Sequence, residues 1–179
     1  MINGVGNNTK GRDGLFRTAT NISIRSLEKP IPPKSITTID VKWSVIIPKE
    51  TRIRMGAYSD STLYVAYWYP QVAVYDDIDG WDLQEYGGTV EFYNDKNNFD
   101  FEITVPKNYL VWATGEYQNL QDVVNPEIYS SYKEAQESDG VIRIVREEEL
   151  KTGTTAINEK NVWKFKAAGV PDISFATSS

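Results

Sequence analysis

Between Phe99 and Val105 every second residue is apolar: Phe99, Phe101, Ile103 and Val105 alternate with Asp100, Glu102 and Thr104. A period of two is that of a strand with one buried face, and this is the clearest strand signal in the chain. Pro106-Lys107-Asn108 then turns the chain into Tyr109–Ala113, which Gly115 closes, so the pair predicts a hairpin-like unit. Ile39, Val41, Trp43 and Val45 alternate in the same way with Asp40, Lys42 and Ser44 and predict a strand that Pro48 ends. Shorter apolar runs predict strands over Thr18–Leu27, Thr89–Tyr93, Val141–Arg146 and Ile173–Ala176, and around the Trp163/Phe165 alternation.

One helix is predicted, over Pro126–Ser138, with Asn125 as N-cap and Pro126 as its first residue. Ile128, Tyr132 and Ala135 share one face of it, and Asp139-Gly140 ends it. Glu147–Thr155 reads as a loop, with Glu147-Glu148-Glu149 a solvated charge run. Residues 1–17, rich in glycine, asparagine and charge, read as an irregular N-terminal segment, and 18–179 as a single β domain. The fold class expected is all-β: a sandwich or curved open sheets of about eight to ten strands.

The middle of the chain breaks this regularity. Tyr64–Tyr67 begins as a strand, Pro70 interrupts it, and Val72–Tyr75 runs into Asp76-Asp77-Ile78-Asp79-Gly80 and then Trp81. Simple alternation sets Tyr67 and Tyr69 on one face and Trp68 on the other, so one face belongs to a core and the other is open to line a groove.

The composition excludes several chemistries. With 19 Lys+Arg against 25 Asp+Glu and a net charge of -6, the chain lacks the cationic surface that nucleic acid requires. It contains no cysteine, so disulfides and thiolate chemistry are absent. It contains no histidine either, which rules out a Ser-His-Asp triad and leaves zinc without its usual ligands. No apolar run is long enough to span a bilayer. No secretory signal is visible, and Met1 reads equally well as an added start on a trimmed fragment.

Among the candidate sites, the acidic turn offers oxygen ligands to calcium. On the EF-hand template, however, Gly80 at loop position six leaves Tyr75 and Tyr86 at the two end-ligand positions. A calcium site of another kind and a turn whose carboxylates accept backbone N–H bonds both stand open. Asp76, Asp77, Glu85 and Glu91 offer carboxylate pairs of the type used in glycoside hydrolysis, as any acidic β protein does. Tyr64, Tyr67, Trp68, Tyr69, Tyr75, Trp81 and Tyr86 form an aromatic group suited to core packing or to gripping a glycan or peptide. Asn7-Asn8-Thr9 and Asn21-Ile22-Ser23 match the glycosylation sequon, which matters only in a eukaryotic secreted protein.

Several pieces fall in one order with short spacers: Trp68-Tyr69-Pro70, Val74-Tyr75-Asp76-Asp77, Gly80-Trp81, Glu91-Phe92-Tyr93, Phe99–Lys107, Ala113-Thr114-Gly115, Trp163–Ala167 and Val170–Ala176. From about residue 18 to 178 this set resembles the N-terminal β domain of bacterial zinc metallopeptidases of the aminopeptidase N family. The resemblance implies a saddle-like β domain ahead of a thermolysin-like catalytic domain, and a parent enzyme in the periplasm or outside the cell. It implies that zinc is held by a His-Glu-x-x-His motif and a further Glu in that second domain, and that a Gly-x-Met-Glu-Asn loop recognises the substrate amine. None of these motifs occurs here. This chain alone is then expected to be no enzyme, with the parent's catalytic domain and a peptide substrate as its partners.

By the resemblance, Tyr67, Trp68 and Tyr69 face the substrate, whereas Asp76, Asp77, Asp79 and Trp81 are structural. The family's Gln or Glu that binds a free peptide N-terminus aligns with Tyr67. A phenol accepts a hydrogen bond but is neither amide nor carboxylate. Gln71 stands where many relatives carry a basic residue. The competing reading is a stand-alone β-sandwich module that binds glycan or peptide through surface aromatics, and a third is a β scaffold with no ligand.

Overall fold

The structure, a computed structural model, describes residues 9–10, 15–17, 20–24, 29–49, 54–87, 89 and 92–179. Most of the irregular 1–17 segment, both ends of the strand expected over 18–27, and Glu91 lie outside the described residues. In chain order the elements are β1 (Thr9–Lys10), β2 (Leu15–Arg17), β3 (Ile22–Ile24), β4 (Gly56–Ala57), β5 (Thr62–Ala66), β6 (Tyr75–Asp76), β7 (Gly80–Trp81), β8 (Asn97–Pro106), β9 (Leu110–Ala113) and β10 (Glu116–Tyr117). There follow α1 (Leu120–Val123), α2 (Pro126–Glu137), α3 (Glu147–Thr152), β11 (Lys160–Val170) and β12 (Ser174–Ser178). Strand exceeds helix, the named strand pairings are antiparallel, and the fold is mainly β. Among the described residues no helix is long and apolar enough to cross a membrane.

The chain groups into two compact units. One comprises Met1–Ile46 with Trp68–Asp95, and the other Ile47–Tyr67 with Lys96–Ser179.

The second unit holds the main hydrophobic core. Two sheets contribute to it, one ordered β10-β11-β8 and the other β4-β5-β12-β9. The alternation read at 99–105 is realised in β8, which pairs along its length with β11: Ile103 faces Trp163, Phe101 faces Phe165, and Phe99 faces Ala167. These residues point inward, and the rings of Phe101 and Phe165 stack at 5.3 Å. The opposite face carries the charges, with Lys164 against Glu102 at 3.2 Å and Lys166 against Asp100 at 3.4 Å. Such exposed pairs contribute at most about 1 kcal/mol each and serve mainly to keep the outer face polar. From the second sheet Val111 and Leu110 join Ile103, Val105, Trp163 and Phe165, and α1 and α2 close the cluster with Leu120, Val123 and Ile128.

Helix α2 begins where capping chemistry places it. The Asn125 side chain accepts the Ile128 N–H at 2.9 Å, Pro126 occupies the first turn, and Ile128 is buried. The Asn125 amide also donates to the Gly153 carbonyl at 2.7 Å, tying the helix start to the loop after α3.

Several expectations are corrected. Segments 97–106 and 110–113 do not pair as a hairpin: β8 joins β11, and β9 joins β12 in the other sheet. Asn108 takes a left-handed φ of 67°, and the turn is held by the 155–159 segment. Lys107 N–H donates to the Glu159 carbonyl at 3.1 Å and Asn108 N–H to Thr155 Oγ1 at 2.8 Å. The helix at 126–137 is not alone. Residues 147–152 are helix α3 rather than loop, because Glu149 at its third position turns back to accept the Arg146 N–H. Glu149 is accordingly 8% exposed rather than solvated.

Residues 39–45 keep their alternation but form no strand, and Ile39, Val41 and Trp43 stay about half exposed. Periodicity selects a face; it does not supply a neighbouring strand. Residues 141–146 are likewise irregular, with the adjacent Ile144 and Val145 both packing on the core instead of alternating.

Candidate functional site

In the second unit three neighbouring strands stop pairing within two residues of one another along β5. The last ladder pair of β5 and β12 is Ala66 with Ser174, and β4 and β5 are in register with Gly56 opposite Tyr64. Continuing that antiparallel register by two residues sets Arg54 opposite Ala66. Arg54 does not extend β4, because its φ is +66°, and Tyr67 does not extend β5, because its φ is +53°. Neither residue is glycine or asparagine, so each holds a backbone conformation that costs a side-chain-bearing residue about 1–2 kcal/mol.

Where the strands end, a shallow cavity of about 170 Å³ opens. Tyr64, Ala66 and Tyr67 line it from β5 and its end, Asp172, Ile173 and Ser174 from the approach to β12, and Arg54 from the approach to β4. The Arg54 guanidinium lies 5.6 Å from the centre of the Tyr67 ring, within cation–π range. Asp172 Oδ1 accepts the Ile173 N–H at 2.7 Å. Tyr64 points away from the core: in register it stands beside Ala176, which stands beside Trp112, and both aromatic residues are exposed. Val65, Phe175 and Ala113 form the alternate row, which faces inward.

Of the residues expected to face substrate, Tyr67 lies in this cavity and is 39% exposed. Trp68 and Tyr69 belong to the other unit. There the Trp68 ring packs on Tyr69 at 5.4 Å and on Trp43 at 6.1 Å, and the Trp43 indole N–H donates to the Trp68 carbonyl at 2.7 Å. The strand on which an alternation of 67, 68 and 69 would rest ends at Ala66, and Tyr67 takes a left-handed φ of +53°.

The acidic turn is a three-residue loop joining β6 to β7, with Tyr75 opposite Trp81 and Asp76 opposite Gly80. Gly80 takes a φ of +75°, which suits the end of such a loop. Asp76 Oδ1 accepts the N–H groups of Asp79 at 2.8 Å and Ile78 at 3.0 Å. Those bonds favour the charged form and hold the Asp76 carboxyl below its ordinary value. Asp82 Oδ1 accepts the Gln84 N–H at 3.0 Å. Asp77 and Asp79 are exposed. Tyr75 and Trp81 meet edge to face at 5.1 Å, with 66% and 54% of their surfaces exposed.

The sequence has no imidazole or thiolate to offer, and among the described residues no three His, Cys, Asp or Glu side chains converge.

Sequence reasoning missed Arg54, Asp172 and Ser174 as residues lining the same cavity as Tyr67. Arg54 and Asp172 lie in flanking segments with no strand patterning of their own, Ser174 lies in the short strand expected over Ile173–Ala176, and only the strand register brings them together. Pro70 and Pro171, one on each side of the ladder end, were the available signals of where pairing stops.

Compared with protein-family models, with curated proteins and with solved structures, the chain matches none of them.

Proposed function

We propose that this chain is the non-catalytic N-terminal β portion of a zinc metallopeptidase of the aminopeptidase N family and forms one wall of its peptide-binding cleft. The observation that carries this reading is the setting of Tyr67. It occupies the position that the ordered motifs assign to substrate contact, and it lies half exposed, in a strained conformation, lining a cavity at the end of β5. Strained residues that the surrounding fold holds in place cluster at functional sites. The motif pieces also fall on coherent structure: Phe99–Lys107 covers most of β8, Trp163–Ala167 lies in β11 with Trp163, Phe165 and Ala167 on its inward face, and Val170–Ala176 leads into β12. Zinc and the catalytic carboxylate belong to the parent's catalytic domain, and this chain supplies only cavity and surface.

Two measurements test the proposal. The purified chain, with and without added zinc, is expected to release no chromophore from aminoacyl p-nitroanilides, and turnover would refute the assignment. Reading the native gene beyond Ser179 is expected to reveal His-Glu-x-x-His, and its absence would be equally damaging.

A second reading rests on the exposed Tyr75–Trp81 pair, a surface on which a sugar ring could stack. It makes the chain a glycan-binding module. Saturable quenching of tryptophan fluorescence by a glycan, lost in Trp81→Ala, would favour it.

A further inference from the structure

Strand β8 lies at the edge of its sheet, in the order β10-β11-β8. Which of its backbone groups are left unpaired follows from β11. Lys164 N–H donates to Asn119 Oδ1 at 2.9 Å and the Lys164 carbonyl accepts the Gln118 N–H at 2.9 Å, so Lys164 turns its main chain toward β10. Main-chain groups alternate in direction along a strand, so Trp163 and Phe165 turn theirs to β8, where they meet Ile103 and Phe101. The main-chain groups of Asp100, Glu102 and Thr104 therefore face away from β11, and among the described residues no strand stands on that side. All three residues are exposed. A row of N–H and C=O groups at strand spacing is matched only by another extended chain.

Side chains decide which extended chain fits. Asp100 and Glu102 stand on the outer face with 71% and 55% of their side chains exposed, and each meets its lysine of β11 through one oxygen, Asp100 Oδ2 and Glu102 Oε1. A strand laid along this edge sets its own outer side chains directly beside these carboxylates, where opposite charges stabilise and like charges destabilise. Its inner side chains fall next to Phe101, which is only partly buried, and Ile103. A second copy of the chain fits poorly. Antiparallel pairing of β8 with itself about Glu102 sets Glu102 against Glu102, and each copy carries a net charge of -6. We propose that the open edge of β8 takes an extended segment of a partner protein in which Lys or Arg alternates with apolar residues, adding it to the sheet as a further strand. This edge and the Tyr67 cavity belong to different sheets, so the two are tested apart.

The test uses three acetylated and amidated octapeptides: one alternating Lys and Val, its Glu–Val twin, and a Lys–Val form N-methylated at the lysine amides, the ones that would face β8. Each is titrated into the chain while the backbone amides of Asp100, Glu102 and Thr104 are followed by NMR and hydrogen exchange. The Lys–Val peptide is expected to shift these signals, to slow their exchange at least about tenfold at saturation and to leave the exchange of Phe101 and Ile103, already bonded to β11, unchanged. It is expected to bind at least about fivefold more tightly than the Glu–Val twin. Thr104→Pro removes an edge N–H without taking a donor from the β8–β11 ladder, and is expected to weaken binding at least about fivefold. Asp100→Asn combined with Glu102→Gln is expected to abolish the preference for Lys–Val over Glu–Val. No shift at the three amides would overturn the proposal, and so would equal binding of the two twins. Undiminished binding of the N-methylated form would overturn it too, since charge attraction alone would then suffice. Protection of the same amides that grows with protein concentration in the absence of peptide would do the same, by making a second copy the occupant. If a variant fails to fold, the three peptides on the unaltered chain decide.

Discussion

Replacing Gly115 by alanine tests how tightly the β9–β10 corner is pinned against β11. Gly115 has a φ of +97°, a region closed to side-chain-bearing residues. A Cβ there would sit 2.3 Å from the Lys166 carbonyl oxygen, 2.8 Å from its carbon and 2.9 Å from the Ala167 Cβ. The obstacle is backbone, and it belongs to a strand held on both sides: Lys166 pairs with Glu116 in β10 and with Asp100 in β8. The strain of the dihedral costs about 1–3 kcal/mol. Forcing β11 aside adds about 1–3 kcal/mol, and the stiffer unfolded chain returns about 0.4–1 kcal/mol.

The expected loss is therefore about 3 kcal/mol, and with a urea slope of about 2 kcal/mol/M the unfolding midpoint falls by about 1.5 M. Gly169→Ala is the control. Gly169 has a φ of +66° but nothing within 4 Å of its would-be Cβ, so it carries the dihedral cost without the collision. Its expected loss is about 1 kcal/mol, a shift near 0.5 M. Urea titrations followed by far-ultraviolet circular dichroism measure both. Equal shifts for the two variants would refute the claim that contact with β11, rather than the dihedral alone, makes Gly115 necessary.

Three further outcomes are expected. Burial, and then the neighbouring Tyr132, raise the Tyr117 phenol well above its ordinary value of 10.0, and its hydroxyl donates to the Val111 carbonyl at 2.7 Å. A raised folded-state value means stability that is complete below about 10 and is lost as pH climbs above it, so Tyr117→Phe should flatten the alkaline decline in stability while costing about 1 kcal/mol at neutral pH. Asp76 has the opposite sign: its lowered carboxyl stabilises the turn above the unfolded value and ceases to do so as pH falls through the folded one. Carbon-detected NMR titration should find it below the ordinary carboxylate value, and Asp76→Ala should remove that low-pH transition. Buried Asn161 donates to Thr155 Oγ1 at 3.2 Å and to the Ala156 carbonyl at 3.1 Å, and accepts from Asn158 at 3.2 Å. Asn161→Ala should cost about 2–3 kcal/mol in thermal or chemical unfolding, since it leaves buried groups without partners.

The chain's local features were legible where one short-range rule decides the outcome. Phe99–Val105 and Trp163/Phe165 are strands because alternate residues must leave water, and Asn125-Pro126 starts a helix because its side chain and ring satisfy the first turn. The strand over 39–45 was misread because a two-residue period says which face is apolar and nothing about who pairs with it. Glu147–Glu149 was misread because charge density suggests solvent, whereas the bond from Glu149 to Arg146 N–H is a geometric event. The hairpin at 97–113 failed for a related reason: Asn108 sends β9 into the other sheet, and no feature of the two runs marks that choice. The candidate cavity was half visible. Tyr67 stood out through its neighbours Trp68, Tyr69 and Pro70, but Arg54 and Asp172 reach it only because β4, β5 and β12 cease pairing together. Composition alone settled that this chain has no imidazole or thiol to lend a metal, since that is a count of atoms. The pairing of distant strands, and the polar groups left facing one another where the pairing stops, were decided by tertiary structure, because register depends on residues more than a hundred positions apart.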